Sequence, residues 1–158
     1  MIELSTTPTT DARELVIVRG LPGSGKTTYA RANFPGHVLL EPDHLFCDLN
    51  GRYLYEHQLW DNAVDFVHAL ADSVLSKGLP VVVADVFPSE AYLMPFRRIA
   101  EHCGAPVRVY TMADTFGSVH NVPAFVVRRM RSEWGSVQGE TVVRQSTIER
   151  TVNNRSYF

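Results

Sequence analysis

A chain of 158 residues, 45% hydrophobic and 20% charged, has the size and composition of one soluble globular domain with its own core. Its formal net charge of -2 excludes a polycation built to coat nucleic acid, while a local basic face stays open. Cys47 and Cys103 show neither zinc nor redox spacing and read as reduced thiols of a cytoplasmic protein; no apolar run is long enough to span a membrane.

In chain order, Met1 to Asp11 is rich in Thr, Ser and Pro and lacks the apolar centre of a signal peptide. We expect residues 1–13 to be a flexible tail and 14–158 a single domain, with 136–158 an extension of uncertain structure. Glu14 to Arg19 reads as a buried strand and Thr27 to Ala32 as the first turns of a helix, which Phe34-Pro35-Gly36 stops. His37 to Glu41 is a second short strand, left at its tip by Pro42-Asp43-His44. Leu45 to Tyr55 is mixed and holds the turn signal Asn50-Gly51. From Gln58 the apolar period becomes helical, with Trp60, Ala63, Val64, Val67, Leu70, Ala71 and Val74 on one face and Gly78 as its stop.

Leu79 to Asp85 is the strongest strand, apolar without alternation, as expected of a parallel strand covered on both faces. Pro88-Ser89-Glu90 opens a helix that turns Leu93, Phe96, Ile99 and Ala100 inward and ends at Gly104. Val107 to Met112 is a further strand, and Ala113 to Asn121 is irregular. Pro123 suits a helix start, with Phe125, Val126 and Met130 following through Trp134 to a stop at Gly135. Thr141-Val142-Val143 is a possible last short strand. Strands alternating with helices predict an α/β three-layer sandwich around a mainly parallel sheet of four or five strands. In such sheets ligands bind at the carboxyl ends of the strands, which brings the loop after the first strand, Asp43 and Asp85 to one edge.

That loop carries the chemistry. Gly20-Leu21-Pro22-Gly23-Ser24-Gly25-Lys26-Thr27 satisfies G-x-x-x-x-G-K-[ST], the phosphate-binding P-loop, in the strand–loop–helix setting the motif requires. The glycines let backbone N–H groups approach phosphate oxygens, and the helix N-terminus adds its partial positive charge. Lys26 can reach β- and γ-phosphates, and the Thr27 hydroxyl can ligate Mg2+.

Asp85 ends the strongest strand, either to hold Mg2+ beside Thr27 or to cap the following helix. Asp43 is either a base for an acceptor hydroxyl or the N-cap of a short helix. Arg128, Arg129 and Arg131 follow the irregular loop, and are either a solvated face or the source of a cation for a transferring phosphate. Arg128 and Arg131 share a helix face. Phe46, Tyr53, Tyr55 and Trp60 could stack on a base, although Trp60 falls on the core face. The histidines form no metal cluster; His37, His57, His68 and His102 read as surface or satisfied core residues.

The ordered set of Arg19 to Thr28, Asp43 within Glu41-Pro42-Asp43-His44, Val81 to Asp85, His120-Asn121-Val122-Pro123 and Arg128-Arg129-Met130 resembles the P-loop kinases related to the kinase domain of phage polynucleotide kinase and to the kinase-like domain of NEDD4-binding protein 2. The resemblance covers residues 14–134. It implies ATP and Mg2+ as cofactors, with Gly20 to Thr28 on the nucleotide, Lys26 on its β/γ-phosphates, and Thr27 and Asp85 at the metal. It implies Asp43 as general base. The short lid, Thr115 to His120, holds no Arg or Lys, so Arg128 takes the place of the family's lid arginines. The compact size also resembles phage kinases that phosphorylate 5-hydroxymethyluracil in DNA. The expected function is therefore transfer of the γ-phosphate to that hydroxymethyl group or to a polynucleotide 5′-hydroxyl. A small-molecule kinase (for a nucleoside, sugar or antibiotic) is the alternative, and a non-catalytic nucleotide switch the third reading.

Overall fold

A computed structural model describes residues 12–54, 56–115 and 122–144. Residues 1–11 of the expected tail, Tyr55, most of the lid with His120, and everything after residue 144 lie outside the described residues; Arg13, at the end of that tail, donates to the Cys103 carbonyl at 2.6 Å.

Among the described residues five strands, all parallel, form one sheet: β1 (Leu15–Gly20), β2 (Val38–Leu40), β3 (Val81–Asp85), β4 (Val107–Met112) and β5 (Glu140–Val143). Their spatial order is β2-β3-β1-β4-β5. β1 is central, and every one of its residues is buried, which is why its sequence shows no alternation. The pairing register sets Arg19 beside Asp85 on β3 and beside Thr111 on β4. The chain's ends of β1 and β3 are thereby level at the carboxyl edge.

Helices cover both faces. On one, Val16 and Val18 join Val82, Ala84, Met112 and Val143 beneath Ala30 and Phe34, at the inner side of α1 (Lys26–Asn33). On the other, Leu15, Ile17, Val81 and Val83 pack against α2 (Trp60–Ser76) and α3 (Glu90–Cys103) through Val67, Ala71, Leu75, Leu93, Phe96 and Ala100. Residue alternation along β1 and β3 thus sends neighbours to opposite layers. The expected apolar face of α2 is borne out at Ala63, Val67 and Ala71, with Leu75 completing it.

Two local readings need correction. The last helix, α4 (Ala124–Ser132), stops at Ser132 with Glu133 as its C-cap, before Trp134 and Gly135. It buries none of its residues, and Phe125 is 66% exposed, so its apolar positions do not form a core face. The segment after Pro42 is a 3-10 helix, Pro42–Phe46, capped by Glu41 and not by Asp43. The expected strand near Val142 is real: β5 pairs Glu140 with Val109 and Val143 with Met112.

Candidate functional site at the carboxyl edge of the sheet

The turn from β1 into α1 is built by backbone that few residues tolerate. Gly25, the N-cap of α1, has φ 83°, and Gly23 has φ 77°. Gly20 is needed for a different reason. A Cβ there would stand 2.3 Å from Ser24 Oγ and 2.9 Å from Met112 Cβ. Ser24 is itself buried, and its hydroxyl has no partner among the described residues. We expect Gly20→Ala to destabilise the fold by about 1–3 kcal/mol, as overpacking does, and to weaken nucleotide binding by deforming the loop. Thermal melts and a nucleotide titration of the variant check this.

Lys26 opens α1 and turns its ammonium back to donate to the Leu21 carbonyl at 3.2 Å. Its pKa is lowered, chiefly by desolvation, against the opposing pull of Asp85, Asp43 and Glu41. Three carboxylates from the tips of β2 and β3 therefore face one lysine. Thr27, next in sequence, donates its hydroxyl to Glu41 Oε1. Glu41 is buried, and its other oxygen lies 2.7 Å from His44 Nε2. Asp43 is exposed, with Oδ1 accepting a hydrogen bond from Tyr53 Oη at 3.0 Å. Asp85 accepts the backbone N–H of Val86 at 2.8 Å, and burial raises its pKa to about 6, with Asp43 and Glu41 adding to the rise.

The edge thus brings together Lys26, Thr27, Asp43 and Asp85, four positions singled out from sequence, and adds Glu41. Nothing in the described structure joins Arg128 to them. Arg128 is exposed on α4, and its side chain makes no hydrogen bond or ion pair among the described residues. Its neighbour Arg129 pairs with Glu133 at 3.2 Å.

Two residues with large structural consequences were not assigned roles by sequence. Glu41 was visible only as an acid at a strand tip. Arg19 was visible only as a charge inside a strand, and it is fully buried. Its guanidinium donates to the carbonyls of Phe87 (3.0 Å), Pro88 (3.1 Å) and Gly135 (2.9 Å) and to Glu140 Oε2 (3.0 Å), and it lies 4.0 Å over the Trp134 ring. It ties the strand that launches the P-loop to the segment that follows Asp85.

The donor set fits the groups expected here. A glycine-shaped loop at a helix N-terminus, an orphaned buried hydroxyl and a lysine spending its bond on its own loop suit phosphate oxygens. Among the described residues no group of three or more His, Cys, Asp or Glu side chains could hold a metal unaided. Thr27 and Asp85 would give Mg2+ the one or two protein ligands it takes beside phosphates and water. A cleft of about 410 Å3 adjoins the loop, bounded by Leu21, Thr111, Met112, Trp134 and Glu140.

The family described as "AAA domain" matches residues 15–115, from the first strand past the end of β4. The chain belongs to this family. Similar solved structures include a sugar kinase from Janibacter (17% identity, TM-score 0.61, covering 89% of this chain and 93% of that one). Another is the Mycobacterium tuberculosis APS kinase CysC in complex with AMPPNP and APS (14% identity, TM-score 0.57, 92% and 96%). A third is the Pnkp1/Rnl/Hen1 RNA repair complex (19% identity, TM-score 0.55), where the match spans 96% of this chain and 46% of that one. At these identities the likeness concerns the fold, which is that of the P-loop kinases. No helix among the described residues is long and apolar enough to cross a membrane.

Proposed function

We propose that the protein is an ATP- and Mg2+-dependent phosphotransferase with an alcohol as acceptor. The observation that carries this reading is the meeting of Lys26, Thr27, Asp43 and Asp85 at one strand edge beside a P-loop. ATP supplies the γ-phosphoryl group, and Mg2+ neutralises charge on it. Gly20 to Thr28 hold the phosphates through backbone N–H groups. Lys26 exchanges the Leu21 carbonyl for β/γ-phosphate oxygens. Thr27, once released from Glu41, and Asp85 would hold the metal. Asp43, exposed and oriented by Tyr53, takes the proton of the acceptor hydroxyl as its oxygen attacks in line. Arg128 is assigned to the transferring phosphate on its position after the lid alone.

The cleft beside Leu21 supports this reading, since it offers the nucleoside end of ATP a place next to the phosphate loop. We expect Asp43→Asn to keep nucleotide binding and to lower transfer by about 10²-fold or more, the scale of a positioned general base. Near-normal turnover in that variant sinks the assignment.

Two acceptor classes compete. The sequence favours a hydroxyl of DNA or a nucleotide, either the hydroxymethyl group of 5-hydroxymethyluracil or a polynucleotide 5′-hydroxyl. One observation favours the small-molecule alternative. Arg97, which an open groove for a nucleic acid would need free, is bound to Glu90 (2.5 Å) and to the Gln138 carbonyl (2.7 Å). Transfer of labelled γ-phosphate decides between them. The acceptors are an oligonucleotide with a free 5′-hydroxyl, an end-blocked oligonucleotide with internal 5-hydroxymethyluracil, and a panel of small alcohols.

A further inference from the structure

The surface that extends from Asp43 is apolar and acidic. Asp43 and Phe46 are three apart in a 3-10 helix, and side chains at that spacing project from one edge. Phe46 forms one wall of a groove of about 250 Å3, closed by Leu45, Leu59, Asn62, Ala63 and Phe66. Asn62 is its one polar side chain among the described residues. Phe46 in turn stacks on Trp60, with ring centroids 6.1 Å apart and planes 13° apart. The walls are open to solvent: Leu45, Leu59 and Phe66 are each about half exposed. Among the described residues, six of the twelve most exposed large hydrophobics fall between Leu45 and Phe66, which makes this a patch and not scattered apolar surface.

Charge narrows the occupant. Between Glu41 and Phe66 stand six carboxylates (Glu41, Asp43, Asp48, Glu56, Asp61 and Asp65), and Arg52 is the one Lys or Arg. A polyanion is recognised by clustered Lys and Arg, and this segment, whose Glu41 is buried against Thr27, carries the opposite balance of charge. An apolar groove built from a segment rich in carboxylates and poor in Lys and Arg suits an uncharged or cationic molecule.

We propose that this groove is the acceptor site, and that the acceptor is a small alcohol with an apolar, uncharged or cationic body. The proposal rests on the phosphotransferase reading. The apolar body lies against Phe46 and Phe66 and presents its hydroxyl at Asp43. The acceptor oxygen forms a bond to the γ-phosphorus, and its proton passes to Asp43. The bond from the γ-phosphorus to the β,γ-bridging oxygen breaks, and its electron pair leaves on ADP.

The test uses 2-phenylethanol (uncharged), phenylalaninol (cationic) and a decathymidylate with a free 5′-hydroxyl (polyanionic). Binding is read without turnover, by the change in tryptophan fluorescence when the groove beside Trp60 fills. Transfer is read separately, with labelled ATP. We expect the two small alcohols to perturb the fluorescence and to accept label, and the oligonucleotide to do neither. Phe66→Lys, at a half-exposed position that tolerates a long side chain, should raise the apparent Kd for phenylalaninol by at least about 10-fold, with Leu59→Lys as the second variant. Alcohol binding without any label transfer would leave the groove standing and remove the phosphotransferase reading. Label on the oligonucleotide in preference to both alcohols overturns the proposal. So does a concentration-dependent dimer that Phe66→Lys dissociates, because the patch is then an interface between copies.

Discussion

Arg19→Leu is expected to lower stability by about 3–5 kcal/mol, the cost of removing one partner from a buried ion pair, and to lower the melting temperature by roughly 10 °C for a chain of this size. Leucine fills part of the volume and supplies none of the donors. The carbonyls of Phe87, Pro88 and Gly135 lose their charged partner, and Glu140 keeps a charge that Arg19 had neutralised. Phe87 adds to the loss. It has φ 44°, the one positive φ outside glycine among the described residues, and its carbonyl is held by Arg19 Nε. Phe87 and Pro88 follow Asp85 by two and three residues, so the guanidinium fixes the backbone on which Asp85 sits. Arg19→Lys should fall between parent and leucine variant. An ammonium keeps the charge, but it cannot serve four acceptors spread around a planar fork. Urea titration of the three proteins checks the order. An Arg19→Leu protein melting within about 2 °C of the parent would show that the network contributes little.

Arg19 also marks where sequence reasoning stops. β1 was legible because its apolar run is continuous, and a run covered on both faces has no period to misread. The charge at its end carries no local signal. Its four acceptors lie between 68 and 121 residues away, and no window of sequence contains them. Glu41 is the same case at shorter range: its partner Thr27 is 14 residues earlier, on another element. The P-loop, by contrast, is written in eight consecutive residues whose backbone needs are individually special. Asp43 and Asp85 were legible at one remove, because strand order places strand ends together. α4 was misread for a physical reason. Phe125, Val126 and Met130 have helical spacing, but the helix lies where the sheet offers it no core to cover.

Asp85→Asn should make the nucleotide-free protein more stable and the phosphotransferase weaker. The carboxylate has an ordinary pKa near 3.8 and is pushed up to about 6 by burial, with Asp43 and Glu41 on the same edge; the Val86 N–H and Lys26 only partly offset this. The sign follows. Between about pH 4 and pH 6 the unfolded chain gives up this proton while the folded chain keeps it, so stability falls as pH rises through that window. Above about pH 6 both states are ionised, and the full penalty, about 3 kcal/mol, stands. Asparagine cannot ionise, and its carbonyl oxygen can still accept the Val86 N–H. The variant should therefore match the parent below about pH 4 and exceed it at pH 7 in the absence of Mg2+ and nucleotide. Under the proposed function the same ionised oxygen would help hold Mg2+ beside Thr27, so Mg2+-dependent transfer should fall as the melting temperature rises. Melting curves of both proteins from pH 4 to pH 8, with and without Mg-nucleotide, read the two effects apart. If the variant melts below the parent at pH 7 without ligand, the ionised carboxylate is stabilised by Lys26 more than burial penalises it, and the balance of charge at this edge is the reverse of the one described.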